Sequence, residues 1–445
     1  MKTKLIAAII GLASFASSAS VTISDVIVRQ QWPWNGKVNI DYVLTDPDDG
    51  EHDITVVMSN GTQVVTNEYG SLSGDLFGVK PGARRIVWNP MHNNPTYTES
   101  VLASFSVTLS TPNDSSRQYM ILDLSGGYDP EAAIPISFAS KPPSGGWNTD
   151  EYKTTKMVLR RIPAGTFIMG SPTNELGHSI HEDLHPVTFT KDFYVALFMC
   201  STHQFAQIYT GNGSALNNMT IVHGSTINYA RLRGTNSLET VSANFPNGTW
   251  PNCDSPSFFA TLNARAIGSL PAELTGWKFD LLSSSQWEYA CRAGTSSAFY
   301  NGATITNTTL DANASLLGIY KNSPNRSTAP ATNGAFMPNG FGLYDMCGSY
   351  GDLVKDTKAG GSGKHTWTLG QHLVDPLAYK PDNYRGIIVR GGSWRFYGAS
   401  SLRSAAIGSG GSAYGSSVTA TTYKGLFSTD TDCLSFRVAL VYIGE

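Results

Sequence analysis

Strict alternation of apolar and polar residues near the start of the chain does most to limit the folds open to it. "KVNIDYVL" puts Val38, Ile40, Tyr42 and Leu44 on one face, and "ASFSVTL" does the same for Phe105, Val107 and Leu109. A period of two is the signature of a half-buried antiparallel strand, because successive side chains point to opposite faces. Turn clusters such as "TDPDDGEHD" and "SNGTQ" separate these runs. The pattern predicts an all-β sandwich over residues 20–110, a common size for such a unit.

Composition matters where it sets the compartment. The chain has 445 residues, of which 15% are charged, and it is rich in glycine, with 44. That balance favours a loop-rich, β-rich exported protein over a helical cytosolic one. The formal net charge is -3, with no run of like charge, so nothing argues for a nucleic-acid partner. "MKTKLIAAIIGLASFASSAS" has two lysines, an apolar stretch and then small residues. This is the three-part pattern of a signal peptide over residues 1–19, with cleavage after Ala19 or Ser20. The apolar stretch is too short for a membrane span, and no other segment offers one. The expected location is secreted or periplasmic, at the cell envelope.

Residues 111–155 contain "STPNDSSRQ" and "KPPSGGWNTDE", which read as linker, with "YMILDLSGG" as one further strand between them. A second domain is expected over 156–445. Within it, "LLSSSQWEYACRAG" predicts a short helix, with serine N-cap oxygens at Ser283 to Ser285 and a stop at Gly294. The five cysteines, Cys200, Cys253, Cys291, Cys347 and Cys433, all fall in this domain. Export permits disulfides, an odd count leaves one thiol over, and no CxxC pair suggests zinc.

Four stretches of the second domain, in order, resemble the formylglycine-generating enzyme (sulfatase-modifying factor) family: "PAGTFIMGS", "LLSSSQWEYACRAG", "NGFGLYDMCGS", and "RGGSW" with the distant "SFRVA". The resemblance spans nearly all of residues 156–443. It implies an α+β fold of C-type-lectin-like type, in the formylglycine-generating-enzyme subtype. It also implies a copper(I) oxidase, in which two cysteines after the Gly-Gly-Ser-aromatic strand hold the metal and oxygen oxidises a substrate cysteine. Soft thiolates suit copper(I). Here those positions fall on Phe396 and on or beside Ser401, and no cysteine occurs between Gly391 and Asp432. Copper is therefore not expected. Ser393, Trp394, Phe396 and Ser401 are left as the lining of a degenerate active-site pocket.

The resemblance further implies calcium, a hard cation that takes carboxylate and carbonyl oxygens. The matching positions are Asp345, Gly348, Tyr350 and Asp352, with Asp352 where a glutamate is usual and Gly351 where a tryptophan is usual. A second, weaker match falls on Asn313, Ala314 and Asn322. The family also has a disulfide at the position of Cys291, but its partner position here is Ser404, and another family cysteine position is Val438. Cys291 then pairs with a different cysteine or with none.

Outside the resemblance, "GHSIHEDLHP" carries His178, His181, His185, Glu182 and Asp183. Three imidazoles invite a metal, although a solvated loop is the simpler reading. There is no G-x-S-x-G elbow for a serine hydrolase. From Arg395 to Thr431 the chain is rich in Ser, Gly, Ala, Thr and Tyr, including Tyr397, Tyr414 and Tyr423. Such loops make contact surfaces. The expected function is a catalytically degenerate ligand-binding module with a protein or glycan partner. The alternatives are a formylglycine-type oxidase with a non-standard metal site and a structural part of the cell envelope.

Overall fold

A computed structural model of the chain describes residues 21–30, 35–62, 64–92, 105–111, 115–209, 258–324, 333–359, 371–377, 384–394, 398–407 and 434–443. The leader expected over residues 1–19 lies outside them, as do Phe396 and most of the loop from Arg395 to Thr431.

The N-terminal unit is built from β1 (Thr22–Gln30), β2 (Val38–Thr45), β3 (Thr55–Ser59), β4 (Val64–Thr66), β5 (Leu72–Gly74), β6 (Gly82–Trp88) and β7 (Ser106–Ser110). They form two sheets, ordered β1-β2-β6-β5 and β4-β3-β7. The alternation in β2 has its predicted consequence: Val38, Ile40, Tyr42 and Leu44 are buried and the residues between them are not. Val56 and Met58 of the other sheet share their core with Trp88 and Phe105.

The rest of the chain is mixed α/β and mostly sheet. Its strands are β8 (Tyr119–Asp123), β9 (Ile136–Ala139), β10 (Lys156–Ile162), β11 (Gly165–Met169), β12 (His185–Phe189), β13 (Phe193–Ala196), β14 (Trp277–Asp280), β15 (Gly351–Ala359), β16 (Leu373–Val374), β17 (Tyr384–Arg390), β18 (Leu434–Ser435) and β19 (Ala439–Tyr442). The helices described are α1 (Thr202–Ile208), α2 (Phe258–Ala266), α3 (Ser284–Arg292) and α4 (Ala312–Ser315). The central sheet runs β14-β19-β13-β10-β8-β9. It is buried on both faces. Val158, Phe193 and Val195 face α3 in one core, and Leu159, Tyr194 and Leu440 face α1 and α2 in the other. Two small sheets, β11-β12-β16 and β17-β15-β18, carry the motif loops.

The linker over residues 111–155 is corrected by this topology. β8 pairs along its whole length with β10 and on its other side with β9. Met120 and Leu122 are fully buried. The strand expected at "YMILDLSGG" forms as β8, and β9, which was not expected, joins it in the main sheet, so the stretch is not a spacer.

The two units are joined through their backbones. Tyr69 N–H donates to the Thr166 carbonyl at 2.8 Å, and Thr166 N–H donates to the Asn67 carbonyl at 3.1 Å. The Tyr69 ring lies 5.6 Å from that of Tyr289 on α3. A buried ion pair, Arg160 with Asp53 at 2.5 Å, spans the same joint.

Candidate functional site

The predicted helix forms as α3, within the run that suggested it. Ser283 caps it by accepting from Gln286 N–H, and the Gln286 side chain returns the bond to the cap backbone. This reciprocal pair satisfies two amides that would otherwise lack partners. Ala293 takes the left-handed turn at the end (φ 45°), with Gly294 after it.

Glu288 on α3 is fully buried and gathers the motifs around itself. Its Oε1 accepts from Gly170 N–H and from Arg292 Nε, each at 2.9 Å. Its Oε2 accepts from Arg390 Nη1 at 3.2 Å. Arg390 begins "RGGSW" and also donates to Ser284 Oγ at 2.8 Å. Burial alone would raise the Glu288 pKa, but Arg292, Arg390 and the Gly170 amide pull it below the usual value. The carboxylate stays charged because cations surround it.

A second cluster sits one residue along α3. Trp287 Nε1 donates to Asp352 Oδ2 at 2.8 Å, and Arg437 Nε donates to the same oxygen at 2.9 Å. Arg437, from "SFRVA", also donates to the Ala196 and Tyr344 carbonyls. These two clusters tie all four sequence motifs into one buried charged centre.

Directly beyond it the backbone turns sharply. Gly391 (φ 83°) packs under Trp287 and Met346, and its carbonyl accepts from Gly348 N–H at 2.7 Å. Gly392 (φ 72°) lies so close to Ser401 that a Cβ would fall 2.7 Å from its Oγ. Ser393 is buried. Trp394 is half-buried against Met199 and Tyr350, and its N–H donates to the Ser349 carbonyl at 2.9 Å. Ser401 thus packs against the "GGSW" turn. Ser401 Oγ donates to the Gly398 carbonyl at 2.9 Å. A hydroxyl engaged with its own turn is no thiolate, and the residues present do not fit a copper(I) site at this loop.

The calcium positions are arranged as follows. Asp345 and Asp352 are both fully buried. Asp345 takes a left-handed turn (φ 53°) and accepts from Gly334 N–H at 2.5 Å. Gly348 (φ 74°) is held against the Ile319 backbone, and Tyr350 is buried beside Met199. Asp352 Oδ1 has no hydrogen-bond partner among the described residues, which is the kind of oxygen a hard cation takes. Its other oxygen already faces the Arg437 guanidinium, so the charge a cation would use is partly matched. At the weaker match, Asn313 and Ala314 lie on α4, where their amides donate to Asp311 Oδ1 and the Asn313 side chain donates to the Thr304 carbonyl. Asn322 is exposed.

In the histidine-rich loop Glu182 and His185 are buried, while Ile180 and Leu184 are exposed. Glu182 binds Arg403 with both oxygens, at 2.7 and 3.1 Å, and His178 is hydrogen-bonded to Ser171. Among the described residues no group of three or more His, Cys, Asp or Glu side chains is placed to hold a metal ion. What sequence reasoning missed are the cationic partners, Arg390, Arg403 and Arg437. Their signal was present, since each is a charged residue inside an apolar or small-residue motif.

The sulfatase-modifying factor enzyme 1-like domain model matches residues 145–417, more than half of the chain. The chain belongs to this family. No curated protein matches it. Solved structures similar to it include PvdO from Pseudomonas aeruginosa, at 20% identity over 64% of this chain and 94% of that one with a TM-score of 0.45, and CarF, at 14% identity over 63% and 96% with a TM-score of 0.29. The family match begins at residue 145, just before β10, and takes in the Glu288 cluster and the "RGGSW" turn. Arg437 lies beyond its end.

Proposed function

We propose that this family member is an exported ligand-binding module, a β-sandwich followed by a C-type-lectin-like domain, that has lost the family's copper(I) oxidation chemistry. One observation carries the proposal. The loop that follows "RGGSW" contains no cysteine up to Asp432, and the serine brought to the turn is hydrogen-bonded to Gly398. The cysteines described elsewhere do not replace the missing pair. Burial pushes the Cys200 and Cys347 thiols up, away from the thiolate form that binds copper(I).

The surface around the turn supports binding. Gly177 lies against Ser400 and Arg403, and Thr308 and Thr309 accept backbone hydrogen bonds from Ser400 and Ala399. From these two embracing segments Leu176, Ile180, Leu184, Leu310 and Leu316 project into solvent. Exposed aliphatic side chains on both segments favour a protein ligand over a glycan. No helix among the described residues is long and apolar enough to cross a membrane.

The test of lost chemistry is turnover. Purified protein loaded with copper(I) is incubated in air with a cysteine peptide of sulfatase type, and the peptide is followed by mass spectrometry beside an active control enzyme. No aldehyde is expected, and conversion overturns the proposal. Photo-crosslinking from position 180 in the producing cells, set against a glycan panel, separates the two ligand classes. We also propose calcium at the Asp345–Asp352 turn, taken by Asp352 Oδ1 and main-chain carbonyls. Terbium luminescence sensitised by nearby aromatic rings tests it, with loss expected in Asp352→Asn.

A further inference from the structure

Two of the cysteines lie together in the core. Cys291 sits in the last turn of α3, and Cys347 immediately precedes the Gly348 turn; both are fully buried. Both belong to one buried cluster, and the neighbouring Cys291 thiol adds to burial in pushing the Cys347 thiol up. Both also reach the same short loop: Cys347 Sγ lies 3.0 Å from the Leu402 carbonyl, and Cys291 Sγ lies 3.7 Å from Ser404 Oγ. Tyr300 is buried in the same cluster as both cysteines. The structure describes both cysteines as free thiols.

We propose that Cys291 and Cys347 are joined by a disulfide in the mature protein, formed with a low-molecular-weight disulfide as oxidant. The thiolate of one cysteine attacks the external disulfide and releases one small thiol. The second thiolate then attacks the resulting mixed disulfide, forming the protein S–S bond and releasing the other small thiol. Two protons leave the cysteines and two are taken up by the released thiolates. Both sulfurs are sealed from solvent in the folded chain, so the exchange takes place before the core closes. The bond ties the end of α3 to the turn that leads into Asp352. This inference stands apart from whether the loop retains any oxidase chemistry.

The test uses the full chain. It is reduced in denaturant, refolded in a mixture of oxidised and reduced glutathione, and the natively folded fraction is collected. Remaining thiols are blocked with N-ethylmaleimide in denaturant without reductant, and the digest is mapped by mass spectrometry. The expected result is one cross-linked peptide pair carrying Cys291 and Cys347, with maleimide on Cys200. Maleimide on both residues, or a link from either to Cys200, Cys253 or Cys433, overturns the proposal. Reduction is also expected to lower the thermal midpoint of the wild type but to leave Cys291→Ser and Cys347→Ser unchanged. If either variant fails to fold, the wild-type map still decides the question.

Discussion

The charged centre under the "RGGSW" turn and the loop that follows it lie a few residues apart and are built on opposite terms. In the centre, Glu288, Arg390, Asp352 and Arg437 are almost wholly buried, and each is held by partners from a distant motif. In the loop, Ser401 is half-buried, and among the described residues its hydroxyl is bonded to its own turn. Several residues of the recognisable motifs are thus the scaffold's own ion pairs, and fold and chemistry rest on different residues.

The sharpest way to break this comparison is to remove one buried charge. Glu288→Ala leaves Arg390 and Arg292 without their carboxylate, and a broken buried pair of this kind costs about 3–5 kcal/mol. Chemical denaturation is expected to show that loss, or no folded protein. The joint between the two units is built the same way, so Asp53→Ala, which strands Arg160, is expected to cost a similar amount.

Glu288 also sets the acid limit. Its carboxyl is held below the ordinary glutamate value of 4.5, so its contribution to stability is complete above that pH. The contribution is lost as the pH falls through the lowered folded value. Midpoints measured between pH 7 and pH 3 are expected to fall in the wild type and to fall less steeply in Glu288→Gln.

At the boundary between the two regions, Gly392→Ala forces a side chain into a left-handed turn and against Ser401, with an expected loss of about 1–2 kcal/mol from the backbone term alone. In the loop itself, Ser401→Ala is expected to cost about 1 kcal/mol or less, the net value of one hydrogen bond. If Ser401→Ala proves as damaging as Glu288→Ala, the contrast fails.

Much of the fold could be read from local pattern. β2 alternates as its letters do, and α3 starts at the serine that its capping chemistry names. Within 111–155 the apolar run at Tyr119 to Asp123 reads as a strand and is one, but nothing local says that it pairs with β10, which begins more than thirty residues later. β9 is four residues long and set among turn-rich stretches, too short for its pattern to announce it. In the site, the resemblance located the "GGSW" turn and Ser401, which the fold brings together. It also marked Asp352 as a cation ligand, but gave no hint that the other oxygen of that carboxylate faces Arg437, eighty-five positions away in sequence. Such a pairing leaves no local signal, because a lone buried charge declares its counter-charge only in three dimensions.

The position of β8 and β9 on the flank of β10 decides where this protein can be cut. Dividing it at residue 156, where the letters suggest a spacer ends, would strip β10 of its neighbour along five paired residues. The excised piece would present a bare row of amides and carbonyls beside Leu159 and Val158, ready to pair with any other chain. A fragment meant to isolate the family domain therefore has to begin before Tyr119, and even then it carries the exposed half of the Tyr69–Tyr289 contact. What looks like two modules on a string behaves as one casting, and shortening it invites aggregation rather than independence.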